Sequence, residues 1–494
     1  MSLSGDVIIV GAGPGGSSAA TFLAQRGIST ILLDRAHFPR DKVCGDGLTP
    51  KALHWLDVLG CADEVLDHNR SFLTEGDIVV NGEHVLTGVF PQDTPYPGFS
   101  IMLDRQTLDH ILVRNAVANG ADFRPGCRVE KIHQNDDGVI VEASLDGTSL
   151  QIEGRLLIGA DGANSVVSRA IGNRPKNGTI AVSMRGYYER VRVKGSRIQL
   201  YFDEEFFPGY GWLFADEDGT ANIGVAFTVD GNFRLRTKLK EAYRRFVDTR
   251  LDDQLDTARP LGKPKGGWAA YHQPSRTTAD RVLLVGDAAN RGDPVNGGGI
   301  HMAMESASFA SQVVADALER DDCSAAALAG YELLWNRHNE LDWRTGELML
   351  SIAKNPHLRE VHLSLIRAVA ILARNDPRFL EFCGGVFNGV TPTRKTICPF
   401  TLAEVVPLVP EAWLRAVLQT ADPGFRDLIS RVLGAMSVGV RTTERIVTSP
   451  MENFVWGVEI VTKMVGLLAC WTQRKLGAGG SAVESANETA AAAM

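Results

Sequence analysis

The stretch Asp6–Arg35 reads DVIIVGAGPGGSSAATFLAQRGISTILLDR and decides the fold of this part of the chain. An apolar segment from Val7 to Val10 runs into the glycines of GAGPGG. Small and apolar residues follow, and a second apolar segment ends in an acid, Asp34. This order predicts a strand, a phosphate-cradling turn, a helix and a second strand, which together form a dinucleotide-binding βαβ unit. The helix N-terminus would face a pyrophosphate with free N–H groups, and the acid would accept hydrogen bonds from ribose hydroxyls.

The glycines of the turn have separate tasks in such a unit. Gly11 permits the tight turn, Gly13 lets the backbone approach the pyrophosphate, and Gly16 lets helix and strand pack closely. A glycine-rich turn without a ligand is the alternative, but strand, helix, second strand and terminal acid are all present. We therefore predict that the turn and the end of the second strand bind a dinucleotide. The predicted residues are Gly11, Gly13, Pro14, Gly15, Gly16, Asp34 and Arg35.

Composition narrows the class of protein. The chain has 494 residues, of which 44% are hydrophobic and 22% are charged, as is typical of a soluble globular protein with more than one domain. The formal net charge of −8 argues against a broad nucleic-acid-binding surface. The 7 cysteines are widely spaced and form no CxxC pair. This pattern favours a reducing compartment over a disulfide framework or a zinc site.

The start of the chain and its apolar runs bear on localisation. The N-terminus leads directly into a strand and no run of about 18 uncharged apolar residues occurs, so we expect neither a signal peptide nor a spanning helix. The expected protein is cytoplasmic, either free or peripheral on the cytoplasmic face of the membrane. The segment Phe454–Trp471 is apolar but interrupted by Glu459 and Lys463. It is either a helix in a domain core or a surface helix resting in a bilayer interface.

Two further motifs bear on the identity of the dinucleotide. In LIGADGANSVVSR, Leu157–Arg169, a strand leads into Asp161 and a turn, and the residues around Ser165 can cap the following helix. In GDAANRGDPVNGGGI, which follows an apolar strand, Asp287 can reach ribityl hydroxyls and the last glycines open a helix at Ile300. The N–H groups and the dipole of that helix would stabilise negative charge on a reduced flavin.

Each of these motifs alone has a simpler explanation, because Asp-Gly and Gly-Asp are common turns. Their order after the nucleotide fingerprint, each at the end of a strand, favours FAD over a nicotinamide dinucleotide. The sequence therefore predicts FAD as the cofactor. The residues that these two motifs add to the predicted site are Asp161, Gly286, Asp287, Pro294, Gly297, Gly298, Gly299 and Ile300.

The motifs lie in three separated blocks of the chain. Residues 1–71, 101–175 and 276–330 contain continuous apolar strands typical of a buried parallel sheet, and residues 107–118 carry an apolar helical stripe. We predict that the three blocks form one discontinuous, Rossmann-like FAD-binding domain of the α/β class.

The segments between and after these blocks have different patterns. Residues 72–100 and 176–275 contain short alternating segments separated by turn residues, which predicts an inserted antiparallel β-sheet domain that binds the substrate. Residues 331–476 are mainly helical in pattern and are broken by prolines. The small and polar residues 477–494 predict a disordered tail.

Four segments carry a resemblance to a known family. They are FPRDKVCGDGL at residues 38–48, LDR and LD within residues 103–109, PGYGWLF and NIG within residues 208–224, and GDAANRGDPVNGGGI at residues 286–300. The chain resembles the geranylgeranyl reductase branch, which includes menaquinone reductases, of the FAD-dependent oxidoreductases similar to p-hydroxybenzoate hydroxylase. It departs from that branch at Gly298, where an acid is usual, and at Ala215, where a proline is usual.

The resemblance implies an activity. The implied enzyme reduces carbon–carbon double bonds of an isoprenoid chain, either a geranylgeranyl group or a menaquinone side chain, by hydride transfer from reduced flavin. The electron donor stays open between NADPH, ferredoxin and a quinol. A flavin-dependent monooxygenase or halogenase that tailors a secondary metabolite is the alternative, because of Gly298 and the DPVN segment. A prenyl-lipid-binding protein with a silent flavin is a third, non-enzymatic interpretation.

The resemblance also places the loop at residues 38–48 beside the flavin. Arg40 and Gly45 would then contact the cofactor, and Arg105 would clamp it. Cys44 would border the flavin as a neutral thiol that shields the ring or relays a proton. The simpler interpretations are a solvated basic turn for Arg40, a charge at a helix start for Arg105, and a small residue chosen for fit in the case of Cys44.

Three aromatic residues alternate along one predicted strand. Tyr210, Trp212 and Phe214 would present three rings on one face, which is either sheet core or the wall of an apolar substrate tunnel. The Tyr210 hydroxyl and the His301 imidazole are candidate proton donors, although both residue types are more often structural. No HExxH, P-loop or GxSxG pattern occurs, so we expect neither metal nor acyl-transfer chemistry.

Overall fold

The protein divides into two compact units, each with a β-sheet and helices. A computed structural model describes residues 2–68, 71–173, 179–193, 195, 197–204, 207–229, 238–397, 446 and 449–477. The first unit comprises residues 1–69, 101–180 and 268–340. The second unit comprises residues 70–100, 181–267 and 341–494.

The described residues form the following strands and helices. The strands are β1 (Ser2–Val10), β2 (Thr30–Leu33), β3 (Gly47–Leu48), β4 (Glu75–Val80), β5 (Glu83–Val89), β6 (Ile101–Met102), β7 (Asp122–Arg124), β8 (Cys127–Gln134), β9 (Val139–Leu145), β10 (Thr148–Gly159), β11 (Ile180–Glu189), β12 (Arg197–Phe202), β13 (Gly209–Ala215), β14 (Ala221–Val229), β15 (Arg259–Pro260), β16 (Lys265–Ala270), β17 (Thr278–Ala279) and β18 (Val282–Leu284). The helices are α1 (Pro14–Ala24), α2 (Pro50–Val58), α3 (Ala62–Asp67), α4 (Arg105–Ala118), α5 (Val166–Ala170), α6 (Leu239–Arg250), α7 (Asp252–Leu255), α8 (Ile300–Glu319), α9 (Ala325–Leu328), α10 (Gly330–Ala353), α11 (Arg359–Asn375), α12 (Pro377–Phe387) and α13 (Pro450–Gly477).

The first unit is built on a largely parallel sheet. Its strand order is β17-β18-β10-β1-β2-β7, and β8 and β9 extend it from β10 as antiparallel strands. β1 runs parallel to both β10 and β2, and Val7 is the partner of Leu156 on one side and of Thr30 on the other. β10 also runs parallel to β18. The predicted Rossmann-like parallel sheet is confirmed.

Small residues let α1 and α8 approach each other closely. A Cβ added at Gly15 would lie 3.5 Å from the Cβ of Ala303. Further along the same contact, Ser311 Oγ donates to Ala19 O at 3.5 Å. The run of small residues after the glycine-rich turn therefore sets how closely α1 packs against α8.

The second unit is built on a mixed sheet. Its strands follow the path β15-β11-β14-β13-β12-β4-β5. β13 pairs antiparallel with β12 and β14, as the alternating segments predict, but β12 and β4 are parallel, with Ile198 opposite Gly76. One face of this sheet packs on α6, where Phe246 shares an apolar cluster with Leu213 and Val225.

The helices from residue 341 onward belong to this second unit, whereas the sequence pattern suggested a separate helical region. Leu363 and Ala370 of α11 pack with Val80 and Val85 of β4 and β5 in one apolar cluster. An amphipathic helix is stable when it buries its apolar face against another element, and here that element is the sheet. A further apolar cluster joins α10 and α13.

Two parts of the sequence predictions lie outside the described residues. One is the part of the predicted helical region at residues 398–445 and 447–448, and the other is the predicted tail from residue 478 onward. Within the described residues, Met451–Arg474 of α13 is the one helical segment that is long and apolar enough to cross a membrane, with a mean hydropathy of 1.5. By length and composition alone this segment could cross a membrane, whereas the sequence predicts no spanning helix. The contacts of α13 bear on the same question below.

Candidate cofactor site

Three sequence motifs begin side by side at the carboxyl edge of the parallel sheet. Val10, Gly159 and Leu284 are neighbours across β1, β10 and β18. The ladder continues one residue further, because Ala160 N–H donates to Val10 O at 2.8 Å and Val285 N–H donates to Gly159 O at 2.9 Å. Ligands of open α/β sheets bind at this edge. The fold therefore brings together three motifs that are far apart in the sequence.

The glycine-rich turn is packed too tightly for side chains. Gly11 has a φ of +99°, and a Cβ added there would lie 2.4 Å from Ala160 O. A Cβ added at Gly16 would lie 1.7 Å from Gly11 O. Gly13 directly precedes α1, whose first residue is Pro14. The turn thus leads into a helix N-terminus, whose first N–H groups have no intrahelical acceptor and suit a pyrophosphate.

Asp34 follows β2 and lies against this turn. Its carboxylate accepts hydrogen bonds from Ala12 N–H and Ala36 N–H, both at 2.9 Å. Arg40 Nη2 lies 3.5 Å from the same carboxylate. Asp34 therefore holds the turn to the end of the second strand. Its contact with ribose hydroxyls stays a prediction.

Two arginines lie near Gly13 and share one buried carboxylate; we call Arg40, Arg105 and Asp109 the arginine cluster. A Cβ added at Gly13 would lie 3.6 Å from Arg40 Nη2 and 3.9 Å from Arg105 Nη2. Asp109 accepts from Arg105 Nε and Nη2, both at 2.8 Å, and from Arg40 Nη1 at 2.9 Å. Burial alone would lower the pKa of Arg105, but Asp109 raises it above its ordinary value. Both guanidiniums are thus fixed beside the phosphate-cradling turn.

Two residues of this region are absent from the sequence prediction. Asp109 follows Arg105 by four positions on α4, which is the spacing of an ion pair on one helix face, so a signal was present. Asn296 accepts a hydrogen bond from Gly298 N–H at its Oδ1, at 2.7 Å. No sequence pattern distinguishes that asparagine from an ordinary turn residue.

An ion pair joins the loop at residues 38–48 to the segment after β18. Lys42 Nζ lies 3.0 Å from Asp287 Oδ2. Burial would raise the pKa of Asp287, but Lys42 holds it below its ordinary value. On the same loop, burial and the neighbouring Asp46 raise the pKa of the Cys44 thiol. The thiol is therefore neutral at neutral pH, and a proton is available at its Sγ atom.

Asp161 caps a short helix. Its carboxylate accepts hydrogen bonds from Ser165 Oγ at 2.5 Å and from Val166 N–H at 2.6 Å, at the start of α5. Ser165 Oγ accepts from Ser168 N–H at 2.8 Å, which confirms the predicted helix cap. Burial raises the pKa of Asp161 above its ordinary value. The motif thus ties the end of β10 to α5, and a contact between Asp161 and the cofactor stays a prediction.

The last glycines of the third motif lead into α8, as predicted. A Cβ added at Gly299 would lie 3.6 Å from Asp287 Oδ1, so the N-terminus of α8 lies beside that carboxylate. A Cβ added at Gly298 would lie 2.7 Å from both Asn296 Oδ1 and His301 Cε1. A larger side chain does not fit at position 298 without movement of these neighbours.

His301 lies in the first turn of α8 and is buried. Its Nδ1 lies 3.5 Å from Thr49 Oγ1. Burial, with a smaller contribution from Lys51, lowers the pKa of His301 to about 3. The imidazole is therefore neutral at neutral pH, and it could donate a proton only from a neutral ring. Its role as a proton donor stays a prediction.

The other predicted cofactor residues have varied surroundings. Arg35 is exposed, Gly45 is partly buried, and Pro294 is buried. Gly286 N–H donates to Ser306 Oγ at 3.0 Å, which fixes the start of the turn after β18. In the part of the chain that the structure describes, no group of His, Cys, Asp and Glu side chains could hold a metal ion. The cysteines described there are free thiols.

In the second unit, the three predicted substrate residues share one face of β13. The ring centroids of Tyr210 and Trp212 are 6.2 Å apart, and those of Trp212 and Phe214 are 6.3 Å apart. Leu213, between them in the chain, belongs instead to the cluster that packs on α6. Trp212 Nε1 donates to Asn222 Oδ1 at 3.0 Å. The rings therefore form a row on the sheet face opposite α6, and their contact with substrate stays a prediction.

The residues of the first unit fit FAD. The glycine-rich turn leads into a helix N-terminus, two guanidiniums flank it, and a second helix N-terminus lies beside Asp287. A family model described as "FAD binding domain" matches residues 4–332. The chain therefore belongs to this family. It is an FAD-dependent oxidoreductase, and the predicted cofactor is confirmed.

Relatives of known name place the chain more narrowly. Menaquinone reductase of Mycobacterium tuberculosis is 33% identical over 325 residues, which are 63% of this chain and 76% of that protein. Digeranylgeranylglycerophospholipid reductase 2 of Methanopyrus kandleri is 30% identical over 341 residues, which are 67% of this chain and 82% of that protein. The resemblance to the geranylgeranyl and menaquinone reductase branch is confirmed.

Solved structures share the fold. A geranylgeranyl bacteriochlorophyll reductase-like protein of Thermoplasma acidophilum has a TM-score of 0.65 and 22% identity, over 83% of this chain and 98% of that chain. The flavin-dependent brominase Bmp2 has a TM-score of 0.62 and 18% identity, over 82% of this chain and 99% of that chain. At these identities the likeness establishes the fold alone.

Proposed function

We propose that the protein reduces carbon–carbon double bonds of an isoprenoid chain. The observation that carries the proposal is the ion pair between Lys42 and Asp287. It joins the Cys44 loop to the flavin motif after β18, and these are two of the four segments that resemble geranylgeranyl reductases. The relatives named menaquinone reductase and digeranylgeranylglycerophospholipid reductase support an isoprenoid substrate class. A geranylgeranyl group and a menaquinone side chain are the candidates within it.

Residues of the first unit would hold the cofactor. The arginine cluster and the N–H groups at the start of α1 would bind the pyrophosphate, because charge-assisted hydrogen bonds and a helix N-terminus both favour an anion. The N-terminus of α8 would favour negative charge on the flavin ring. Bound FAD supplies the hydride when it is reduced.

Reduction of a double bond also needs a proton. Cys44 Sγ is the first candidate donor, because its raised pKa keeps the thiol protonated. The Tyr210 hydroxyl is the second candidate among the predicted residues. His301 is the least suited of the three, since burial lowers its pKa to about 3 and removes the imidazolium form at neutral pH.

The ring row of Tyr210, Trp212 and Phe214 would line the path of the isoprenoid chain. Aromatic faces pack against an apolar chain that forms no hydrogen bonds. They also stabilise positive charge that develops on an alkene carbon. Such walls also keep out water that could capture that charge. Cytoplasmic location and the identity of the electron donor stay predictions.

Anaerobic product analysis tests the proposed function. The holoenzyme is photoreduced and mixed without oxygen with a menaquinone or with geranylgeranyl diphosphate, and the product is weighed by mass spectrometry. The expected product is heavier than the substrate by two hydrogen atoms, and the flavin becomes oxidised as it forms. Flavin that stays reduced with both isoprenoids, with no change in their mass, would contradict the proposal.

Cys44→Ala in the same assay tests the source of the proton. If Cys44 Sγ donates it, turnover falls by about a hundredfold while FAD content stays the same. Cys61→Ala is the matched control, because burial also raises the pKa of that thiol, to about 12, and Cys61 lies outside the predicted site. Equal turnover in the two variants removes Cys44 from the mechanism.

A monooxygenase or halogenase is the second candidate function, and Gly298 and the DPVN segment favour it. The same assay separates the two. An enzyme of this second kind would leave the isoprenoid unchanged without oxygen. It would add an oxygen or halogen atom to its substrate only when air and halide are supplied.

A further inference from the structure

The inner face of α13 carries its charges. Glu459 binds Lys354 of the segment after α10, with Nζ–O distances of 2.6 and 2.7 Å, and Lys463 Nζ lies 3.1 Å from Glu347. Glu459 and Lys463 also lie 3.1 Å apart. We call Lys354, Glu459 and Lys463 the lysine cluster. Both charges that interrupt the apolar sequence of α13 are therefore turned toward α10 and paired there.

The outer face of α13 is apolar and exposed along its whole length. Nine large apolar side chains recur at helical spacing, with exposures between 41% and 72%. They are Met451, Phe454, Val455, Val458, Val461, Met464, Val465, Leu468 and Trp471. A face of this size on a soluble protein marks an interaction surface rather than scattered exposed residues.

The polar groups on this outer face are satisfied by the helix itself. Thr462 Oγ1 donates to Val458 O and Thr472 Oγ1 donates to Leu468 O, both at 2.8 Å. Between Phe454 and Thr472, no described exposed residue carries a charge. An interface with a protein partner normally contains about one hydrogen bond per 100–200 Å². A face whose hydroxyls are already bonded to its own backbone suits hydrocarbon, which offers no partner.

The position of the charges decides how such a helix meets a bilayer. Exposed charged side chains stand at its two ends, Glu452 in the first turn and Arg474 in the last. The stretch between them is about 30 Å long, at 1.5 Å per residue. A helix crossing the membrane would carry the lysine cluster and the charged face of α10 into hydrocarbon. A helix lying in the interface places only the apolar face there.

We propose that the outer face of α13 is a bilayer-docking surface, on which the protein lies with α13 parallel to the membrane plane. The inference deepens the proposed function, because an isoprenoid lipid partitions into the bilayer and an enzyme that reduces it must reach it there. Between Phe454 and Thr472, the described residues of this face offer no cation to an anionic headgroup. Attachment therefore depends on apolar burial and not on lipid charge.

Vesicle sedimentation with the full-length holoenzyme tests the inference. The wild-type protein is expected to sediment with phosphatidylcholine vesicles, equally well with vesicles that contain phosphatidylglycerol, and at high salt. The double variant Val458→Glu, Val465→Glu puts two charges on the outer face and lowers the partition coefficient by about a hundredfold or more. Leu261→Glu is the matched control, since Leu261 is 54% exposed but lies outside α13, and its partition is expected to match the wild type.

Three outcomes of these measurements would contradict the inference. Wild-type protein that stays in solution with every vesicle overturns the inference. So does a wild-type dimer in light scattering that the double variant converts to a monomer, because the occupant is then a second copy of the chain. Vesicle-bound protein that cannot exchange to fresh vesicles overturns the in-plane arrangement in favour of a spanning helix. No isoprenoid is present in these assays, so their failure is independent of the proposed reductase activity.

Discussion

The arginine cluster beside the glycine-rich turn and the lysine cluster beneath α13 use buried ions in opposite ways. In the arginine cluster the carboxylate of Asp109 is fully buried, and the two guanidiniums that it holds lie at the turn predicted to bind the cofactor. In the lysine cluster the charges of α13 face α10 and the segment after it, and the outer face of α13 is apolar. One arrangement would present charge to the predicted cofactor, and the other withdraws charge from a surface.

The comparison teaches that the donors left over after pairing decide what a buried ion can do for function. A buried charge without a partner is costly, so both clusters contain the opposite charge that makes burial tolerable. The difference lies in the remaining donors. A guanidinium has five N–H groups, so an arginine that is fully paired with a carboxylate can still bind a phosphate. The lysine ammonium groups donate to carboxylates and a serine hydroxyl on the inner side, so they present no charge on the outer face.

The largest expected effect comes from breaking the arginine cluster. Asp109→Ala leaves two guanidiniums without their shared carboxylate, and we expect unfolding free energy to fall by about 3–5 kcal/mol. FAD affinity should fall as well, because the guanidiniums lose the position that Asp109 imposes. Urea unfolding and fluorescence titration of the apoprotein with FAD measure the two effects.

Glu64→Ala is the control for this variant. Glu64 binds Arg114 at 2.9 Å, a distance equal to that between Asp109 and Arg40, but at an exposed site. An exposed pair contributes less than about 1 kcal/mol. If both variants lose equal stability, burial of the carboxylate is not what makes the arginine cluster important.

A smaller effect is expected from the lysine cluster. Glu459→Gln leaves Lys354, which is 2% exposed, without its carboxylate partner, and we expect a loss of about 2–3 kcal/mol in urea unfolding. Lys354→Met combined with Glu459→Leu removes both charges and should stay within about 1 kcal/mol of the wild type. A double variant as unstable as Glu459→Gln would show that the pair contributes more than the neutralisation of buried charge.

The smallest expected effect concerns the buried imidazole of His301, and it is an effect on how the unfolding free energy depends on pH. The pKa of His301 is about 3 in the folded protein, below the unfolded value of about 6.5. Its contribution to stability is therefore complete above about pH 6.5 and is lost as the pH falls, by about 2 kcal/mol between about pH 7 and pH 5. His301→Gln cannot titrate and should show a flatter dependence of unfolding free energy on pH over that range. Parallel pH curves for the two proteins would contradict the buried, neutral state of the imidazole.

Much of the first unit could be predicted because its motifs are local. The spacing of glycines after an apolar strand sets the geometry of one turn, and the cap formed by Ser165 depends on neighbours three residues away. The order of such motifs was enough to predict FAD, and the resemblance of four segments to known proteins predicted the family. The mixed pairing in the second sheet was not predicted, since the alternating pattern of β12 does not reveal the direction of its neighbour β4.

The amino-acid sequence by itself determined the nucleotide-binding unit, the cofactor and the family, because each motif is local and the order of the motifs can be read along the chain. Tertiary structure alone decided that Lys42 meets Asp287, 245 residues away, and that Asp109 serves two arginines. It also decided which side of α13 is outermost, since the charges of that helix turn inward only where α10 supplies their partners. Packing brings such pairs together at distances that no spacing along the chain encodes.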